Sequence, residues 1–141
     1  MDRDIVEDKL ESLRRCIERI AAKTPPSVDP LSKDPDLQDI LALNLQRAIQ
    51  LCVDVAAHVI ADTAVRAPAT MAENFEVLKD LNVIGAELAM RLTKAVGFRN
   101  IAVHSYQDID WKIVFHICRD NLDDFRAFAK AVTTRLTSSS Q

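Results

Sequence analysis

DLQDILALNLQRAIQLCVDVAAHVIAD, residues 36–62, is the stretch whose reading decides the fold class. Leucine, isoleucine, valine and alanine recur through it without the strict alternation of a half-buried strand, and neither glycine nor proline interrupts it. The stretch reads as a helix that is apolar over most of its circumference, so other elements must pack on several of its sides. At about 1.5 Å per residue it runs roughly 40 Å, which makes it the spine of a bundle. Its polar residues form a narrow stripe: at ~100° per residue Arg47, Asp54 and His58 fall within about 40° of one another, flanked by Asn44 and Gln50. The stripe is either the wet face that a bundle helix needs or the lining of a groove or subunit interface, with Asp54 positioning a cation from elsewhere.

On the N-terminal side, Val6, Leu10, Leu13, Ile17 and Ile20 recur at spacings of four and three, which predicts an amphipathic helix over 3–22. The intervening TPPSVDPLSKDP carries four prolines and reads as a loop within the domain. On the C-terminal side, Thr70 and Glu73 have the spacing of a capping box and open a short helix with Phe75, Leu78 and Leu81. Ile84, Leu88, Leu92 and Ala95 continue a helical stripe that Gly97 is expected to end; whether Gly85 kinks this region or divides it stays open. A last helix, N-capped by Asp110, carries Val114, Ile117, Leu122, Phe125, Phe128, Val132 and Leu136 inward. The acidic group Asp120, Asp123 and Asp124 reads as a solvated face. The expected architecture is all-α, a bundle of four or five helices in a single domain over 1–141, with a flexible tail at about 137–141.

Composition narrows the function. Eighteen Lys and Arg against 21 Asp and Glu leave a net charge of −3, the wrong sign for holding nucleic acid over a broad surface. Any contact with RNA must run through a confined basic groove, for which Arg91, Lys94 and Arg47 are the nearby candidates. The three cysteines, Cys16, Cys52 and Cys118, sit singly in apolar helical patterns and read as reduced core residues. Nothing at the N-terminus resembles a signal peptide and no apolar run looks long enough to span a bilayer, so a cytoplasmic location without membrane contact is expected. His58, His104 and His116 are far apart, with no H-x-x-x-H or C-x-x-C; neither a metal nor a cofactor is expected. His116 reads as a structural histidine, and Trp111 as a core or interface anchor.

The residues with chemical potential are Arg99, His104 and Tyr106, in RNIAVHSY, residues 99–106. An arginine can grip a phosphate and stabilise charge on its oxygens, and histidine is the side chain that titrates near neutrality. Together they suit metal-free phosphodiester cleavage, with a 2′,3′-cyclic phosphate and a 5′-hydroxyl as products. On one helix, however, Arg99 and His104 project about 140° apart and cannot meet. Either a turn aims the arginine, or two copies of the chain complete the site across a two-fold axis. Equally, R-x4-H-x-Y can be a polar cap tying two helices together.

The longer string GFRNIAVHSYQDID, residues 97–110, followed by a long helix, resembles the HepT group of HEPN-domain ribonuclease toxins, whose signature is arginine, four to six residues, histidine, any residue, tyrosine. The similarity runs over about residues 3–136 and includes DVAAHVIAD in the spine helix, which resembles the family's D-I-A-x-H-I-I segment. The resemblance implies an all-α HEPN homodimer in which arginine and histidine converge at the subunit interface to cut RNA without metal. By matched position Arg99 and His104 take the catalytic roles. Tyr106 takes that of the residue to which a cognate MntA-type nucleotidyltransferase antitoxin transfers AMP from ATP. Asp54, Arg47 and His58 are supporting candidates, with Asp54 orienting Arg99. The alternative is a catalytically inactive helical adaptor that partners a nucleotidyltransferase.

Overall fold

The structure, a computed structural model, describes residues 2–139. Among these there are seven α-helices and one 3-10 turn rather than four or five helices: α1 Arg3–Lys23, α2 Val28–Lys33, α3 Pro35–Ala61, α4 Glu73–Asp80, α5 Ala86–His104, the turn Tyr106–Asp108, α6 Trp111–Asp120 and α7 Leu122–Ser139. No strand occurs among the described residues, as the composition predicts. Helix α7 runs through Ser139, into the stretch expected as a flexible tail at about 137–141, and residues 140–141 lie outside the described residues.

The two helices beyond the expected five come from the same cause, a capping signal masked by proline or by continuous apolar spacing. Pro30 is the third residue of α2 and Pro35 the first of α3, positions whose amide protons have no intrahelical partner anyway. The proline-rich stretch can thus form a turn and a half of helix, pinned by fully buried Leu31. Asp34 then caps α3, accepting from the Leu37 amide at 3.2 Å. The C-terminal helix breaks at Asn121, whose carbonyl accepts from the Asp124 amide at 3.1 Å, while Asp123 and Asp124 fall in the first turn of α7 where the helix dipole favours them. Asp124 is not solvated as expected: it is half-buried and pairs with Arg91 of α5 at 2.9 Å.

Of the two alternatives at Gly85, the structure has the division: α4 and α5 are separate helices, with Gly85 just before α5. Helix α4 ends with Asn82 in the left-handed conformation, φ 61°. The Val83 amide donates to the Leu78 carbonyl and the Asn82 amide to the Lys79 carbonyl, both at 2.9 Å, the paired bonds of a Schellman motif. The predicted capping box is shifted by one residue. The Glu73 amide donates to Thr70 Oγ1 at 3.2 Å, but the Glu73 carboxylate takes the Ala69 amide, at 2.8 Å, instead of that of Thr70.

Helix α3 is the spine, with α1 laid along it and α4 and α5 against its other sides. Leu41, Leu45, Ile49, Cys52 and Ile60 are buried along its length. Phe75 of α4 and Phe128 of α7 meet edge to face, centroids 6.1 Å apart, and Arg3 donates to the Leu136 carbonyl to tie the two ends of the chain together. By length and composition α3 could cross a bilayer, contrary to expectation; half of its most apolar window is buried within the fold, as in a core helix. The cysteines are buried and free, and burial pushes the Cys118 thiol up to about 12.

Candidate functional site

Helix α5 does not end at Gly97. It continues to His104, because a single glycine costs only about 1 kcal/mol relative to alanine while Leu92, Val96, Phe98 and Ala102 are all held in the core. Gly97 has no positive φ and sits at the surface with open space where a Cβ would be. Arg99 and His104 therefore lie on one continuous helix, about 140° apart around it. Arg99 is half-buried and its Nη1 donates to Asn100 Oδ1 at 3.3 Å. His104, the final residue of α5, is exposed. Within one chain the two side chains point to different sides.

The face that carries His104 is continuous and partly apolar. Met90, Gly97, Ile101 and His104 fall within about 60° of one another around α5, and Met90 and Ile101 are 50% and 44% exposed. Beside it, a groove of about 500 Å³ opens between α5, α6 and α7, lined mainly by apolar side chains including Ile101, Ile109 and Ile113, with the Arg91–Asp124 pair among its residues.

After His104 the chain turns sharply. The Ser105 amide closes α5 on the Ile101 carbonyl at 2.8 Å, the Asp108 amide donates to the Ser105 carbonyl at 2.8 Å, and Ile109 is buried as the anchor. Asp110 caps α6 as expected, accepting from the Lys112 amide at 2.9 Å. This turn sets Tyr106 edge-on to Trp111, ring centroids 5.9 Å apart, and aims its hydroxyl at α3. There the hydroxyl donates to Asp39 Oδ1 at 2.5 Å. Partial burial, then the Asp39 hydrogen bond and charge, raise the Tyr106 hydroxyl well above the usual tyrosine range, so it is held protonated. Asp39 is a residue that sequence reading did not single out: it lies 67 positions from Tyr106, and nothing local to α3 distinguishes it from a surface aspartate.

The polar stripe of α3 faces α1. Asp54 accepts from Gln50 at 2.9 Å and pairs with Lys9 at 3.6 Å; Arg99 is not among its partners. His58 is half-buried beside this pair, in a shallow groove with Lys9 and Asp54. Arg47 lies in a wider groove of about 740 Å³ between α1 and α3, together with Arg15 and Arg19, and its charge reaches the Cys16 thiol. Lys94 is exposed on α5, whereas Arg91 is committed to Asp124. His116 is exposed and within 3.4 Å of Asp120. No cluster of three metal-ligating side chains occurs among the described residues.

These features agree with what the chain is similar to. The profile of a family described as ribonuclease HepT-like matches residues 7–132. A relative named mRNA nuclease HepT, from Shewanella oneidensis, is 36% identical over 129 residues, 92% of this chain and 96% of the relative. A tRNA nuclease HepT from Aphanizomenon flos-aquae is 26% identical over 132 residues, 94% and 90% of the two chains. Among solved structures, a tri-AMPylated Shewanella oneidensis HEPN toxin in complex with an MNT antitoxin superposes with a TM-score of 0.87 at 35% identity, covering 94% of this chain and 98% of that one. The Bacillus subtilis cytosolic protein YutE shares the fold alone, at a TM-score of 0.86 and 16% identity over 99% of this chain and 93% of that one. With the profile spanning most of its length and a relative this similar from end to end, the chain belongs to the HepT-like ribonuclease family.

Proposed function

We propose that this chain is the toxin of a toxin–antitoxin pair, an endoribonuclease working as a single HEPN domain and a homodimer in the cytoplasm. The observation that carries the reading is the placement of Arg99 and His104 on different sides of the end of one helix, with Tyr106 two residues further on. Neither side chain completes a site alone. A second copy packed across the end of α5, spanning both the Arg99 side and the exposed Ile101 and His104 side, supplies the missing partner, so that the arginine of one protomer meets the histidine of the other.

In that site Arg99 binds the scissile phosphate and stabilises the charge that grows on its non-bridging oxygens as the bond breaks. His104 takes the proton of the RNA 2′-hydroxyl as the ring closes, and the departing 5′-oxygen takes a proton from water. The bond formed is 2′-oxygen to phosphorus and the bond broken is phosphorus to 5′-oxygen, leaving a 2′,3′-cyclic phosphate without a metal ion. RNA reaches it through a limited basic surface, consistent with the acidic chain; the arginine-lined α1–α3 groove is a route of the right charge. Silencing follows from AMP transfer to Tyr106 by a nucleotidyltransferase antitoxin: the adduct adds bulk and a negative phosphate two residues from His104, which excludes and repels an RNA phosphate.

The test is RNA cleavage in EDTA. Wild-type protein is expected to cut, and His104→Ala to be slower by about 10²–10⁴, the usual worth of a general acid or base. Equal cleavage by the two proteins overturns the reading.

A further inference from the structure

We propose that Asp39 is a catalytic residue of AMP transfer onto Tyr106, its carboxylate aiming the hydroxyl and receiving its proton as the new phosphorus–oxygen bond forms. The inference rests on Tyr106 being the AMP acceptor. It starts from a bond that the fold has no structural need for: an exposed tyrosine, 38% accessible as a residue, reaches across to an exposed aspartate on another helix, although water could satisfy both groups.

Three observations support a chemical role. The two oxygens are 2.5 Å apart in a hydrogen bond, within the reach a carboxylate needs to take the hydroxyl proton. The ring packs edge-on against Trp111 and follows the Ser105–Ile109 turn, so the hydroxyl is directed at α3 while the residue stays exposed. The hydroxyl is also held protonated by its surroundings, so it cannot act as a preformed phenolate and needs an acceptor during the reaction. Kinases meet the same requirement with an aspartate that orients a substrate hydroxyl and accepts its proton during phosphoryl transfer.

The step balances as follows. Tyr106 Oη bonds to the α-phosphorus of ATP, the bond from that phosphorus to the oxygen bridging the β-phosphate breaks, pyrophosphate leaves, and the Oη proton passes to Asp39 and then to water. The product cannot keep the starting geometry. The ester oxygen has no proton to donate, and its phosphate is anionic beside the Asp39 carboxylate, so Tyr106 is released from α3 once modified.

The experiment follows AMP addition by intact mass, with the full chain, its cognate nucleotidyltransferase, ATP and Mg²⁺. Asp39→Asn is expected to lower kcat for transfer by about 10²–10⁴ with the KM for this chain unchanged. Asp39→Glu, which keeps the carboxylate, recovers a large part of the rate. Wild-type kcat in Asp39→Asn, or a raised KM with kcat unchanged, overturns the role. Tyr106→Phe separates the two claims: AMP addition to that variant overturns Tyr106 as acceptor. An unmodified Tyr106→Phe beside a fully active Asp39→Asn overturns Asp39 alone.

Discussion

Gly97→Ala is a substitution whose sign depends on whether α5 runs through to His104. In the structure Gly97 is interior to that helix, has no positive φ, and has nothing within 4 Å of the position a Cβ would take. Alanine there removes unfolded-state freedom without a clash, a gain of about 0.5–1 kcal/mol. With an unfolding entropy of ~2.1 cal/mol/K per residue, a chain of 141 residues converts this into a rise in Tm of about 2–3 °C. Had glycine ended the helix in a left-handed cap, as its position in the sequence suggests, the same methyl group would cost about 1–2 kcal/mol and lower Tm. Thermal unfolding by circular dichroism, paired with a urea titration to confirm an unchanged m-value, reads the sign directly. In the Ile101→Glu background, where no second copy packs near Gly97, a lower Tm and midpoint refute a continuous α5, and with it the argument that Arg99 and His104 cannot meet within one chain.

Asn82→Ala keeps a β-carbon at φ 61° in the motif that stops α4 but loses the carboxamide that lets asparagine tolerate this conformation; it is expected to cost up to about 1 kcal/mol in urea unfolding, whereas Asn82→Gly is expected to be neutral or stabilising. Ile101→Glu sets a charge in the middle of the apolar face beside His104, where the isoleucine is 44% exposed. Sedimentation should then show a monomer and RNA cleavage should fall with it, while a fully active dimer would place the subunit contact elsewhere.

The spine α3 was legible because neither proline nor glycine interrupts 27 residues of mostly apolar sequence, and α1 because its stripe is regular. What escaped were boundaries where one residue does two jobs. Proline reads as a helix breaker, yet at Pro30 and Pro35 it occupies first turns, where no amide bond is lost. Asn121 breaks an apolar spacing that continues on both sides of it, so periodicity alone joins α6 to α7. Gly97 showed the reverse error, a terminator by residue type that burial of its neighbours overrides. The functional residues separated in the same way. Arg99, His104 and Tyr106 stand in one short string and could be found there. Asp39 could not, since its pairing with Tyr106 exists only after α3 and the turn beyond α5 have packed together. Periodicity puts Asp54, Arg47 and His58 on one stripe of α3, but it does not say that the stripe looks toward α1.

The central claim is that one active site is built from the arginine of one protomer and the histidine of the other. The direct measurement mixes purified Arg99→Ala and His104→Ala proteins after dissociation and reassociation, then follows RNA cleavage in EDTA. Each variant alone should be inactive. The mixture should recover about a quarter of wild-type activity, because about half of the dimers are mixed and each mixed dimer holds one intact site of two. A mixture as inactive as either variant alone would contradict the shared site.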